Sequence, residues 1–548
     1  MSPNPRRARL RVTVATSTAL AVAATTVLAV GGAASAVPVT APSAADDRPA
    51  AAGAAWLAGR LQGGLLPGDF GPLYGQSIDA ALALDAVGGR SADVSAIGTA
   101  LEEAAGSYVE YSFDSGGTTY YGEVAGATGK ALVLANLVGA NPGSFGGIDL
   151  VERAQSLLVA DGPATGRIFD TAQDAPDYQY ANSLGQAFVV RGLHEVGSLR
   201  APQALDYLLS QQCPDGHFRQ TFPDIGAANQ GCATPAAAGT GPDTTAIVVL
   251  QLQGLAGTNP VVDAALTDAT EWLVGRQATD GAFTAGTATE GENTNSTGLA
   301  GWALGVRGAG APAARAAAWV RARQVQPVSP CTTALDAEPG AVAFDDRALA
   351  TGRTGDLDDA FQQWNITATQ AVPALLWARK GATVRVAAKE WGRASTNHRV
   401  AVRGLAPGET VCVRSKVSRT LDAAGVGGGV RSAVKLPRRA GNRDIVVADS
   451  TQAYRTTVRA VVPKELGVRV AKRPLPAGTV QRIVVRGLVG GEPAQVFVRG
   501  RRVARGEAGP RGRFVARVRL SKAGPARVRA TGVLPKVRVG RAAFRVVR

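Results

Sequence analysis

Aromatic residues make up only 5% of this 548-residue chain, histidines number three and cysteines four. So few aromatics argue against stacking on single-stranded nucleic acid. His194, His217 and His398 lie in different segments and no paired-cysteine spacing exists, so neither a zinc site nor any other metal site is expected. No second apolar run of membrane-spanning length follows the first, and nothing near the C-terminus reads as a sorting motif. The glycine-rich run Gly425 to Gly429 lacks a strand and helix in the order a phosphate loop needs, and reads as a turn. No cofactor is expected.

Arg6, Arg7, Arg9 and Arg11 precede an uncharged run from Val12 to Val30 that closes in Gly-Gly-Ala-Ala-Ser-Ala. Residues 1–36 therefore read as a secretory signal cut after Ala36, with a retained anchor as the competing reading, and 37–49 as a linker. The protein is expected to be secreted or associated with the cell envelope. Its net charge of +16 hides a division: residues 383–548 carry 37 Lys and Arg against 8 Asp and Glu, or +29, whereas residues 37–382 sum to −17. In an exported protein such a tail suits anionic envelope polymers or lipid headgroups better than nucleic acid; a basic surface with no defined partner is the alternative.

A small polar residue followed by an Ala-rich apolar helix recurs six times, from Ser77, Thr128, Ser183, Thr244, Ser296 and Thr367. Each follows another helical pattern, at 54–61, 94–105, 150–159, 204–211, 261–276 and 314–323. Six hairpins with helices apolar all round predict buried inner helices. Tyr207-Leu208, Gln212, Gly216 and Phe218 repeat 65 positions on as Trp272-Leu273, Gln277, Gly281 and Phe283, and Trp319 with Gln324 is a fainter copy.

That pattern resembles the repeat of the terpenoid cyclase and protein prenyltransferase superfamily, over about 330 residues (50–382). The resemblance implies an α6/α6 toroid and leaves function open, because one fold hosts many chemistries. Cyclases of that superfamily start from a protonated Asp in an Asp-x-Asp-Asp motif leading directly into an inner helix. Asp356-Leu357-Asp358-Asp359 matches the motif, but a helix beginning near Thr367 leaves it eight positions short. Alignment on the helices puts Asp243 in that place, where an Asp at a helix start reads first as a cap. The zinc ligands of the prenyltransferases find no counterpart. Asp215 and Asp280 each precede Gly in equivalent turns, so repeat geometry explains them. Tyr178, Tyr180, Asn182, Asp243, Asn293, Asn295, Trp364 and Asn365 are expected around the end of the barrel where the inner helices start, as a mouth for an isoprenoid, lipid or corrinoid, or simply as caps on a filled barrel. Cys213 and Cys232 flank one loop and are expected to be bridged, closing about 20 residues for roughly 3 kcal/mol. Cys331 and Cys412 could join the two halves or stay free.

Beyond Ala382 the period becomes two, and RVAVRGLAPGE at Arg399 returns as RIVVRGLVGGE at Arg482, an offset of 83. Two immunoglobulin-like sandwiches are expected, at 383–465 and 466–548, with outward arginines such as Arg414, Arg486, Arg499, Arg517 and Arg519. The preferred expectation is a non-catalytic envelope protein. An isoprenoid-processing enzyme using Asp243, or a corrinoid carrier, is the alternative.

Overall fold

The computed structural model describes residues 45–115, 117–172, 180–235, 240–286, 291–355 and 361–548. The expected signal, Tyr178 and Asp356 to Asp359 lie outside these residues.

The helical half runs α1 (Arg48–Gly59), α2 (Tyr74–Val87), α3 (Ser91–Glu103), α4 (Ala105–Val109), α5 (Ala125–Val138), α6 (Leu150–Ser156), α7 (Ser183–Glu195), α8 (Ala201–Ser210), α9 (Asp243–Ala256), α10 (Pro260–Arg276), α11 (Thr294–Val306), α12 (Gly310–Ala322), α13 (Asp346–Thr354) and α14 (Phe361–Ala371). Helices α2, α5, α7, α9, α11 and α14 each touch the next, and α14 returns to α2. They form a closed ring, with α1, α3, α6, α8, α10 and α12 packed outside. Helix α1 opens inside the expected linker. A β-hairpin, Glu110–Ser115 with Thr118–Glu123, leads into α5; it and α13 were not anticipated from the periodicity.

The ring helices are buried on every face: Gly75 to Leu84, Ser183 to Leu193 and Ser296 to Val306 are unbroken buried runs. Small residues allow this closeness. A Cβ on Gly185 would stand 2.8 Å from the Gly126 Cα, and one on Gly298 2.4 Å from the Ala371 Cα.

The repeat motif has a structural purpose. Gln212 Nε2 donates to the Gly216 and Ala265 carbonyls, Gln277 Nε2 to Gly281 and Pro312, and Gln324 Nε2 to Gly340 and Pro49. Each glutamine closes its own turn and staples it to the following outer helix, and the third staple closes the ring onto α1. The glycines have positive φ, and a Cβ at Gly216, Gly281 or Gly340 would meet a carbonyl oxygen of that helix at 2.5 Å or less, so only Gly fits.

The tail forms two β-units of one topology. In the first, Arg385–Ala388, Asn397–Arg403 and Gly429–Lys435 form one sheet; Trp391–Arg393, Ala453–Val461, Gly441–Ala448, Thr410–Arg414 and Arg419–Ala423, in that order, form the other. The second repeats both orders, with Gly467–Arg469, Val480–Arg486 and Arg513–Arg519 facing Leu475–Pro476, Val539–Val547, Gly524–Thr531, Pro493–Val498 and Arg501–Glu507. Alternation along the strands sends Val400, Val402, Val411 and Val413 to one core and Ile483, Val485, Val496 and Val498 to the other.

Candidate functional site

Three places gather chemistry-bearing residues: the ring interior, the end where its helices start, and the junction with the first β-unit.

In the interior, Asp79 of α2 and Lys130 of α5 form a 2.6 Å ion pair with both side chains fully buried. The ammonium also lies 5.4 Å from the Phe188 ring centroid. Burial pushes the Asp79 carboxyl up to about 6 despite Lys130, and pushes the Lys130 amine down against the pull of Asp79. Tyr108 of α4 is buried nearby, its hydroxyl held in the neutral form by burial and by Asp79. Sequence reasoning missed this pair, although each residue is a charge set two places after the small polar residue that opens its helix signature (Ser77, Thr128). That shared offset was the available signal.

At the helix starts, Asn182 and Asn293 are caps: Asn182 Oδ1 accepts from Leu184 and Gly185 N–H, and Asn293 Oδ1 from Ser296 N–H. Asn295 sits within the first turn of α11. The Tyr180 N–H donates to Asp170 Oδ2, whose other oxygen accepts from Ala125 N–H at the head of α5. Asp170, a second residue missed in the sequence, thus ties two hairpins together; burial raises its pKa against those amide bonds. Asp243 is the first residue of α9 rather than its cap, which is Pro242, and no side chain supplies a capping bond there. Its charge still suits the positive end of the helix dipole. Trp364 and Asn365 are inside α14 and 1% exposed. They are buried within the ring wall. Helix α14 also corrects the expected start near Thr367: it already includes Phe361, six residues earlier, so the sequence run 356–359 lies nearer to an inner helix than that expectation allowed.

One disulfide, Cys213 to Cys232, closes the loop after α8; at the junction a second, Cys331 to Cys412, links the segment after α12 to strand Thr410–Arg414. Asp46, 1% exposed, pairs with Arg48 at 2.7 Å and Arg321 at 3.0 Å. Burial pushes its carboxyl up, but the two guanidiniums outweigh this and hold it below its ordinary value. Buried Glu409 accepts from Ala406 N–H as its repeat partner Glu492 accepts from Val489 N–H. Glu492 is neutralised within its own unit by Arg538, at 2.6 Å. Glu409 instead faces Arg48 and Arg321 of the helical half. Gln326 Nε2 donates to the Gly408 carbonyl across the same boundary. Beside it an open groove of about 350 Å³ is lined by Trp319, Arg323, Asp346 and Arg353 on one side and by Leu421 to Val426 on the other. Arg323 stacks on Trp319 at 3.2 Å and pairs with Asp346 at 2.8 Å. Among the described residues no three His, Cys, Asp or Glu gather as metal ligands.

No family model matches the chain, and no curated protein matches it. Among solved structures, the type II terpene cyclase MstE from Scytonema is 18% identical over 60% of this chain and 96% of its own, with a TM-score of 0.39. The Yersinia pseudotuberculosis adhesin InvE is 13% identical over 30% of this chain, with a TM-score of 0.18, and this chain spans 59% of that adhesin. Fibronectin(III)-like modules of Clostridium thermocellum CbhA are 9% identical over 30% of this chain and 93% of theirs, with a TM-score of 0.20. The protein is thus similar to a terpenoid cyclase in its helical part and to immunoglobulin-like modules in its β part. The likeness concerns fold and carries nothing about activity.

Proposed function

We propose that this is an exported, non-catalytic protein of the cell envelope: an α6/α6 toroid acting as a rigid body, locked to two immunoglobulin-like sandwiches whose basic surfaces adhere to an anionic envelope polymer. One observation carries the reading. The ring helices are buried on all faces, and Asp79, Lys130, Phe188 and Trp302 are fully buried, which supports a barrel whose own side chains take the space an isoprenoid or lipid would need. Two disulfides and the lack, among the described residues, of a helix able to cross a membrane are compatible with export. A corrinoid would have to sit in the junction groove, and that groove is at the small end of the range for small-molecule pockets.

The enzyme reading keeps one specific support, the Asp356 to Asp359 run close ahead of Phe361 in α14. Incubating the secreted protein with a linear polyprenyl substrate such as squalene, and analysing extracts by gas chromatography and mass spectrometry, separates the two. No cyclised product is expected. Product that disappears in Asp359→Asn or Asp243→Asn would replace the adhesive reading with a cyclase.

A further inference from the structure

We propose that the terminal β-unit, rather than the first, is the polyanion-binding module, and that its ligand is a linear polyphosphodiester gripped between arginines on facing strands. This rests on the envelope-adhesion reading and assigns it a surface and a ligand chemistry.

Residues 466–548 contain 21 Lys and Arg and two acids. Of those acids, Glu492 is neutralised by Arg538 in the core, which leaves Glu507 alone on the surface. The first unit, 383–465, sets six acids against its 16 basic residues, and one of those acids, Glu409, faces Arg321 of the helical half. Positive charges are placed against one another in both units, Arg385 opposite Arg403 and Arg414 opposite Arg419 in the first, but the terminal unit has three such pairs and almost no acid to offset them. Arg482 is directly opposite Arg517 and Arg486 opposite Arg513 on the outer face of the three-stranded sheet; Arg529 is opposite Arg541 on the other sheet. Like charges directly opposite destabilise a sheet, and none of these six side chains has an ion-pair partner among the described residues. Arg469 and Arg513 make the charged form of Arg486 harder to hold. A surface that opposes its own folding on two faces is explained by a ligand that supplies the missing anions.

The arginines also restrict what the ligand is. Of the 37 basic residues after Ala382, 30 are Arg, the side chain whose planar fork binds phosphate or carboxylate by two parallel bonds. Opposed residues are ~5 Å apart, so two guanidiniums can each take one of the two unbridged oxygens of a single phosphodiester, whereas one fork already satisfies a carboxylate. Alternate residues along a strand are ~6.7 Å apart, a spacing comparable to phosphates joined through three carbons. A bilayer is a poorer fit. The large apolar side chains exposed on this unit are Val480, Val515 and Val547, with no Trp, Phe or Leu to enter an interface.

The test uses the full-length secreted protein and poly(glycerol phosphate), with polygalacturonate and phosphatidylglycerol vesicles as comparison ligands, titrated over a range of salt. The wild type is expected to bind poly(glycerol phosphate) most tightly. R482Q/R486Q/R513Q/R517Q is expected to weaken it at least ~tenfold and to reduce the slope of log K against log salt by about 1.4, near 0.7 for each of the two phosphates no longer neutralised. The equal-charge control R385Q/R399Q/R403Q/R431Q in the first unit is expected to change it much less. An equal loss in both variants overturns the assignment to the terminal unit, and tighter binding to polygalacturonate or vesicles overturns the phosphodiester. If the wild type binds none of the three, the adhesion reading itself falls. Because the terminal-unit variant relieves repulsion, its melting temperature is expected to hold or rise, so lost binding is not lost folding.

Discussion

At the residue scale, the Asp79–Lys130 pair is the least expected feature, because two fully buried charges cost several kcal/mol each to desolvate. Its pKa shifts have definite signs. The raised Asp79 value means its contribution to stability is complete below the unfolded value near 4 and is lost as pH rises through about 6. The lowered Lys130 value means its contribution is complete above the unfolded value and lost as pH falls through the folded one. Both are penalties at neutral pH. Asp79→Ala is therefore expected to cost ~3–5 kcal/mol by removing the carboxylate that pairs with the buried Lys130, whereas Asp79→Leu with Lys130→Met is expected to be neutral or stabilising by ~1–4 kcal/mol. Urea titrations check both, and the double variant should also lose stability dependence between pH 4 and 6. A sequence shows that Asp79 and Lys130 are charges set in apolar helices; it does not show that their helices are neighbours. Asp170 was illegible for the same reason, since the helix it caps lies 45 residues before it.

At the element scale, legibility was higher. All six inner helices and their outer partners fall on the expected segments, because burial on every face leaves an unbroken apolar signature. The start of α14 was misplaced because Phe361-Gln362-Gln363-Trp364-Asn365 reads as polar and aromatic, and only packing in the ring wall turns it into helix. The Gln-x3-Gly signature was visible as a repeat, while its action as a staple between successive hairpins was not. Gln324→Ala removes the staple that closes the ring onto α1 and leaves two buried carbonyls without it, so a loss of ~1–3 kcal/mol is expected, with faster amide exchange in α1 than in α8. Gly298→Val is expected to cost at least ~1–3 kcal/mol by forcing α11 away from α14, measured by thermal unfolding.

At the scale of the whole molecule, the change from a helical to a strand period and the reversal of charge after Ala382 revealed two kinds of domain, but not how they are joined. The join is a disulfide between residues 81 apart, a buried carboxylate facing borrowed guanidiniums, and an amide bond across the boundary. Replacing Cys331 and Cys412 by Ser is expected to cost ~2–5 kcal/mol and to split one calorimetric transition into separate helical and β transitions. Asp46 is held below its ordinary value, so its contribution is present above pH ~4 and lost on further acidification; acid should loosen the N-terminal segment around α1 and α12 before the β-units.

The central claim is that the helical ring is filled by its own side chains and serves as a body rather than a vessel. A native mass spectrum of the mature protein, purified from the medium of the secreting cell, tests it most directly. The account predicts the mass of the disulfide-bonded polypeptide alone. A reproducible one-to-one extra mass of lipid or isoprenoid size, retained after mild activation, would contradict it.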